Sequence, residues 1–118
     1  VIVRRDTGEK TFVPLAELEE TVQELLKALH TNLYESAKKR LEENTYACTT
    51  VEEVKANMEK RKGFAKTMWC GNLACELAMK ELAGVSSRCI PFDQEKISDV
   101  CPVCGKPAKH MVYWGVAY

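Results

Sequence analysis

Phe64-Ala65-Lys66-Thr67-Met68-Trp69-Cys70-Gly71-Asn72-Leu73-Ala74-Cys75 is the stretch on which the fold turns. Phe64 to Trp69 alternates well enough for a strand, and Asn72 to Leu82 carries a helical pattern. Cys70 then closes a strand. Cys75 lies in the first turns of a helix, whose partly positive N-terminus favours a thiolate. A second cysteine pair follows in Cys101-Pro102-Val103-Cys104-Gly105, with 25 residues between the two pairs. A C-x2-C spacing lets two sulfurs converge on one ion. The glycine after it can take the positive φ of such a turn and leaves room for backbone N–H groups to approach the sulfurs.

Two close pairs fit a tetrahedral site made by Cys70, Cys75, Cys101 and Cys104, with zinc as the expected metal. Two disulfides, four unligated thiols, or another metal such as iron are the alternatives that spacing leaves open. A thioredoxin-type use of Cys101 and Cys104 is a further reading, but such a motif begins a helix, and Gly105, Lys106 and Pro107 break the chain instead. Four thiolates leave no open coordination position, so the expected site is structural. Zinc with four thiolates would take the local charge to −2. Lys66, Arg88, Lys106 and Lys109 could offset it, although each is better read as solvated. Cys48 and Cys89 sit in apolar, strand-like contexts and are expected as small core residues. His110, six residues past Cys104, is a substitute ligand at most, and His30 is expected to pack among leucines.

Upstream, Val1-Ile2-Val3, the turn signal Asp6-Thr7-Gly8, and Thr11-Phe12-Val13 predict a hairpin. From Pro14, Leu15, Leu18, Val22, Leu25, Leu29, Leu33, Ala37 and Leu41 recur every three or four residues, predicting one amphipathic helix to about Glu43. At 1.5 Å per residue it would be about 45 Å long. Tyr46-Ala47-Cys48 reads as a short strand. Thr50-Val51-Glu52-Glu53 has the capping-box pattern and opens a helix with Val54 and Met58 facing inward. Arg88 to Phe92, closed by Pro91, and a segment starting at Met111 are expected as strands. The order implies a two-layer α/β (α+β) sandwich, a small mixed sheet covered by helices.

The whole-chain numbers limit what such a domain can do. Of 118 residues, 46% are apolar, enough for a core, and 17 Lys and Arg balance 17 Asp and Glu. Neutrality argues against an autonomous nucleic-acid binder. No apolar run of membrane-spanning length occurs. The chain opens at Val1 without a signal-peptide pattern, and is expected to be a cytoplasmic fragment from the C-terminal end of something longer. No P-loop, dinucleotide fingerprint or histidine triad is present.

Several motifs together carry a resemblance. Arg4-Arg5-Asp6-Thr7-Gly8-Glu9-Lys10, Trp69-Cys70-Gly71, Cys75-Glu76, Arg88-Cys89-Ile90-Pro91-Phe92, Cys101-Pro102-Val103-Cys104-Gly105-Lys106-Pro107-Ala108 and Ala117-Tyr118 resemble the C-terminal part of prolyl-tRNA synthetases of the archaeal and eukaryotic type. The resemblance covers essentially the whole chain. It implies a class II synthetase that uses ATP and Mg²⁺ to join proline to tRNA(Pro), works as a cytoplasmic homodimer, and keeps its catalytic residues upstream. It implies that residues 1–13 are the last strands of an anticodon-binding domain, through which tRNA(Pro) is bound. Residues 14–118 would be the zinc-binding extension, docked on the enzyme's own catalytic domain and similar in fold to the C-terminal domain of bacterial initiation factor three. The family's zinc cysteines fall on Cys70, Cys75, Cys101 and Cys104. Its closing tyrosine falls on Tyr118, whose terminal carboxylate is expected to reach toward the aminoacylation site. The competing expectation is a stand-alone zinc-ribbon module that binds a protein partner.

Overall fold

The structure, a computed structural model, describes residues 1–117, so Tyr118 lies outside the described residues. Two compact units are present, Val1–Glu42 and Glu43–Tyr118. In the first, β1 (Ile2–Val3) and β2 (Lys10–Thr11) pair antiparallel, with Ile2 opposite Thr11. Asp6 ties this hairpin down. It accepts from Arg4 Nη2 at 2.7 Å and from Asn32 Nδ2 at 2.7 Å, and Asn32 belongs to the helix α1 (Leu18–Glu43). A 3₁₀ turn over Leu15–Glu17 leads into α1, so the expected helix is present in the expected place.

The leucine stripe of α1 is not covered as its periodicity predicts. No residue of the helix is buried, Leu33 is 56% and Leu41 54% exposed, and His30 is exposed rather than packed. Two strands of two residues each are too small to cover a 26-residue helix.

The second unit is built on a mixed sheet of order β3-β4-β6-β5. β3 (Thr45–Ala47) runs parallel to β4 (Phe64–Trp69), and the crossover between them is α2 (Val51–Lys60). β4 is followed by α3 (Leu73–Ala83) and then by β5 (Ser86–Cys89). The last strand, β6 (His110–Gly115), inserts antiparallel between β4 and β5. Ala65 stands opposite Trp114 and Thr67 opposite Val112, all on the face that α2 and α3 cover with Val54, Met58 and Met79. This is the expected two-layer arrangement. At its centre Trp114 Nε1 donates to Thr67 Oγ1 at 2.9 Å, which satisfies the polar atoms of two residues no more than 1% exposed.

Local rules explain the element ends. Thr50 Oγ1 accepts from the Glu53 N–H and the Glu53 carboxylate accepts from the Thr50 N–H, completing the predicted capping box. Asn72 Oδ1 accepts from the Ala74 N–H at 2.9 Å and starts α3. Gly63 precedes β4 because nothing larger fits: a Cβ there would lie 2.2 Å from the Asn44 carbonyl oxygen, which accepts from the Phe64 N–H.

One strand differs from expectation. It occupies Ser86–Cys89 rather than Arg88–Phe92, since Pro91 has no N–H to extend a ladder. β5 also carries a β-bulge. Ser87 faces Trp114 and Cys89 faces Tyr113, which leaves Arg88 as the extra residue. The opposite face of the sheet is covered by the segment joining β5 to β6. There Met68 and Met111 pair and are buried, and the Met111 N–H donates to Gln94 Oε1 at 2.6 Å. No described helix is long and apolar enough to cross a membrane.

Candidate metal centre

The four predicted cysteines come together. The Sγ atoms of Cys70, Cys75, Cys101 and Cys104 all lie within 4.8 Å of one another. Cys70 Sγ is 3.6 Å from Cys75 Sγ and 3.7 Å from Cys104 Sγ. A tetrahedron with zinc–sulfur bonds of about 2.3 Å has edges of about 3.8 Å, whereas a disulfide needs about 2.05 Å. All six cysteines are free thiols, so the disulfide framework is excluded for this structure.

Each arm of the cluster is set by backbone. Cys70 directly follows β4, and Cys75 is the third residue of α3, its N–H bonded to the Asn72 carbonyl at 3.0 Å. Trp69 Nε1 donates to the same carbonyl at 3.1 Å and braces the turn between them. In the second arm the Gly105 N–H donates to the Cys101 carbonyl, and the Cys101 N–H to the Lys106 carbonyl, both at 2.9 Å. Gly105 takes φ +66, as the sequence predicts for a knuckle. The Lys109 N–H donates to the Trp69 carbonyl at 2.8 Å, joining the second arm to the strand that supplies the first.

Burial and mutual proximity set the protonation of the four sulfurs. Burial pushes the Cys75 thiol up to about 12, with its sulfur neighbours adding to the effect. The Lys106 N–H, hydrogen-bonded to the sulfur, pulls Cys104 down to about 7. Four sulfurs this close cannot all ionise without a positive charge among them. The donor set therefore fits a soft divalent ion such as zinc, held by four thiolates with no position left for water or substrate.

The remaining candidates separate cleanly. His110 sits in β6 with its ring 6.4 Å from that of Trp69, outside the cluster. Cys48 is buried, as expected, and its Sγ accepts from Asn57 Nδ2 at 3.3 Å. Cys89 is exposed and is not the core residue its context predicts, because it is the last residue of β5, the edge strand of the sheet. Lys66 is bound to Glu95 at 2.6 Å. The sequence reading missed the bracing by Trp69 and the Lys106 N–H. The first had a signal in the tryptophan next to Cys70; the second is backbone and leaves none.

Residues 51–118 match the family model described as "Prolyl-tRNA synthetase, C-terminal". The proline–tRNA ligase of Clostridium novyi (strain NT) is 54% identical over all 118 residues, and proline–tRNA ligase 2 of Bacillus cereus (strain ZK / E33L) is 53% identical over the same span. The chain covers 25% of the length of each of these relatives. The crystal structure of prolyl-tRNA synthetase from Cryptosporidium parvum, complexed with L-proline and AMP, superposes with a TM-score of 0.89 at 30% identity, over 98% of this chain and 25% of that one. With a matched fold, a matched model over residues 51–118 and relatives more than half identical along its whole length, the chain belongs to the family of prolyl-tRNA synthetase C-terminal domains.

Proposed function

We propose that this chain is the C-terminal quarter of a proline–tRNA ligase, an enzyme that activates proline with ATP and Mg²⁺ and esterifies it to tRNA(Pro). The observation that carries the reading is identity above half along all 118 residues with proteins named proline–tRNA ligase. The chain's own role is structural. Cys70, Cys75, Cys101 and Cys104 would hold one Zn²⁺, which neutralises half of the thiolate charge and cross-links the end of β4, the start of α3 and the 101–104 knuckle. The metal thus supports β6, the strand that leads toward Tyr118. In this reading the terminal carboxylate of Tyr118 reaches the aminoacylation site.

The wider proposal is consistent with the same membership. Residues 1–13 are the last strands of an anticodon-binding domain that engages tRNA(Pro), and residues 14–118 are the extension that docks on the enzyme's own catalytic domain. The compact unit 1–42 holds that hairpin together with α1 through the Asp6–Asn32 bond. The enzyme acts as a homodimer in the cytoplasm. A neutral domain, more acidic still with four thiolates and one zinc, leaves tRNA contact to other parts of the protein. The test is to purify the complete gene product and measure proline-dependent ATP–pyrophosphate exchange and charging of tRNA(Pro). Proline-specific charging is expected; a complete protein that charges no tRNA with proline would refute the assignment.

A further inference from the structure

Three features meet at the end of the last strand. The bulge in β5 leaves Arg88 without a cross-strand partner and re-aims its side chain. Arg88 Nη2 donates to the Gly115 carbonyl at 3.3 Å. A Cβ on Gly115 would lie 3.2 Å from Arg88 Nε and 3.4 Å from the Phe64 ring. Gly115 therefore lies close against both a guanidinium and an aromatic ring, and a side chain there would require the Arg88 guanidinium to shift by a few tenths of an ångström. Gly115 is also the last residue of β6, and a hollow lined by Lys62, Phe64, Arg88, Val116 and Ala117 opens beside it. The grip lies where the chain leaves the sheet.

We propose that Arg88 is a positioning residue for the C-terminal tail: lifted by the β5 bulge, its guanidinium holds the Gly115 carbonyl and fixes the point from which residues 116–118 depart. The inference rests on the reading of the Tyr118 carboxylate as a group that serves aminoacylation. Held at Gly115, the chain leaves the sheet from a fixed point. Released, it keeps the same chemistry but loses its address.

The experiment uses the complete enzyme with Arg88→Ala, Arg88→Lys, Gly115→Ala and a deletion of Tyr118, alone and combined, measuring kcat and KM for tRNA charging alongside the melting temperature. Arg88→Ala should lower kcat by roughly 10- to 100-fold, the cost of a small misplacement at a reacting centre, with KM near wild type. Arg88→Lys, which keeps one donor, should recover most of the loss. In the Tyr118-deleted background Arg88→Ala should cost nothing further, because both changes remove the same placement. A purely structural Arg88 would instead lower turnover by the same factor in both backgrounds, and that result overturns the proposal, as does wild-type turnover in Arg88→Ala. Should Arg88→Ala not fold, Gly115→Ala carries the same comparison. Wild-type turnover after deletion of Tyr118 would overturn the carboxylate reading and this inference together; a loss there with none in Arg88→Ala overturns this inference alone.

Discussion

Cys104 is the exposed member of a cluster in which Cys75 and Cys101 are buried, and its sulfur is held by a backbone N–H. Replacing it by serine removes one thiolate without disturbing the core. Cys104→Ser is expected to lower both the zinc content and the melting temperature, read by elemental analysis and calorimetry on the same sample. Thr67 tests a different contact. Thr67→Val keeps the shape but leaves the Trp114 indole N–H buried and unpaired, so a loss of about 1–3 kcal/mol in urea unfolding is expected. Gly63→Ala places a methyl group against the Asn44 carbonyl and should cost roughly 1–3 kcal/mol by overpacking at the start of β4. These sites differ in how visible they are in sequence. The cysteine spacings are local and declare themselves. The Thr67–Trp114 pair spans 47 residues, and neither neighbourhood hints at the other.

The elements divide along the same line. The helix α2 was legible to the residue at its start, because a capping box is written in four consecutive positions. Thr50→Ala should destabilise the second unit by about 0.5–2 kcal/mol. The strand β5 was displaced, because its limits depend on β6, which arrives more than twenty residues later and takes the place between β4 and β5. The hairpin β1–β2 depends on one carboxylate. Hydrogen bonding from Arg4, aided by Asn32, lowers Asp6 from 3.8 to about 2. A depressed carboxyl contributes stability that is complete above its unfolded value and is lost as pH falls toward the folded one. The protection of the hairpin amides, measured as the exchange rate relative to the intrinsic rate at each pH, should therefore fall between about pH 4 and pH 2, and Asp6→Asn should remove that dependence. Protection in the wild type that stays constant over this range would show the Asp6 bonds to be idle.

At the scale of the molecule, the layered fold and the four-sulfur set were both legible, since strand and helix periods and cysteine spacing are properties of short windows. The exposure of the α1 stripe was not. Periodicity says which face is apolar; what covers it is a property of other parts of the structure. The same holds for Cys89, whose apolar neighbours suggest a core and whose place at the end of the edge strand puts it outside. Under the proposed function, the cluster is a cross-link beneath the last strand and stands apart from the chemistry. That claim is tested most directly by X-ray absorption at the zinc edge on the purified protein, with metal quantified per chain. One zinc per chain, surrounded by four sulfurs at about 2.3 Å, is expected. A stably folded chain without metal, or a first shell containing nitrogen or oxygen, would contradict it.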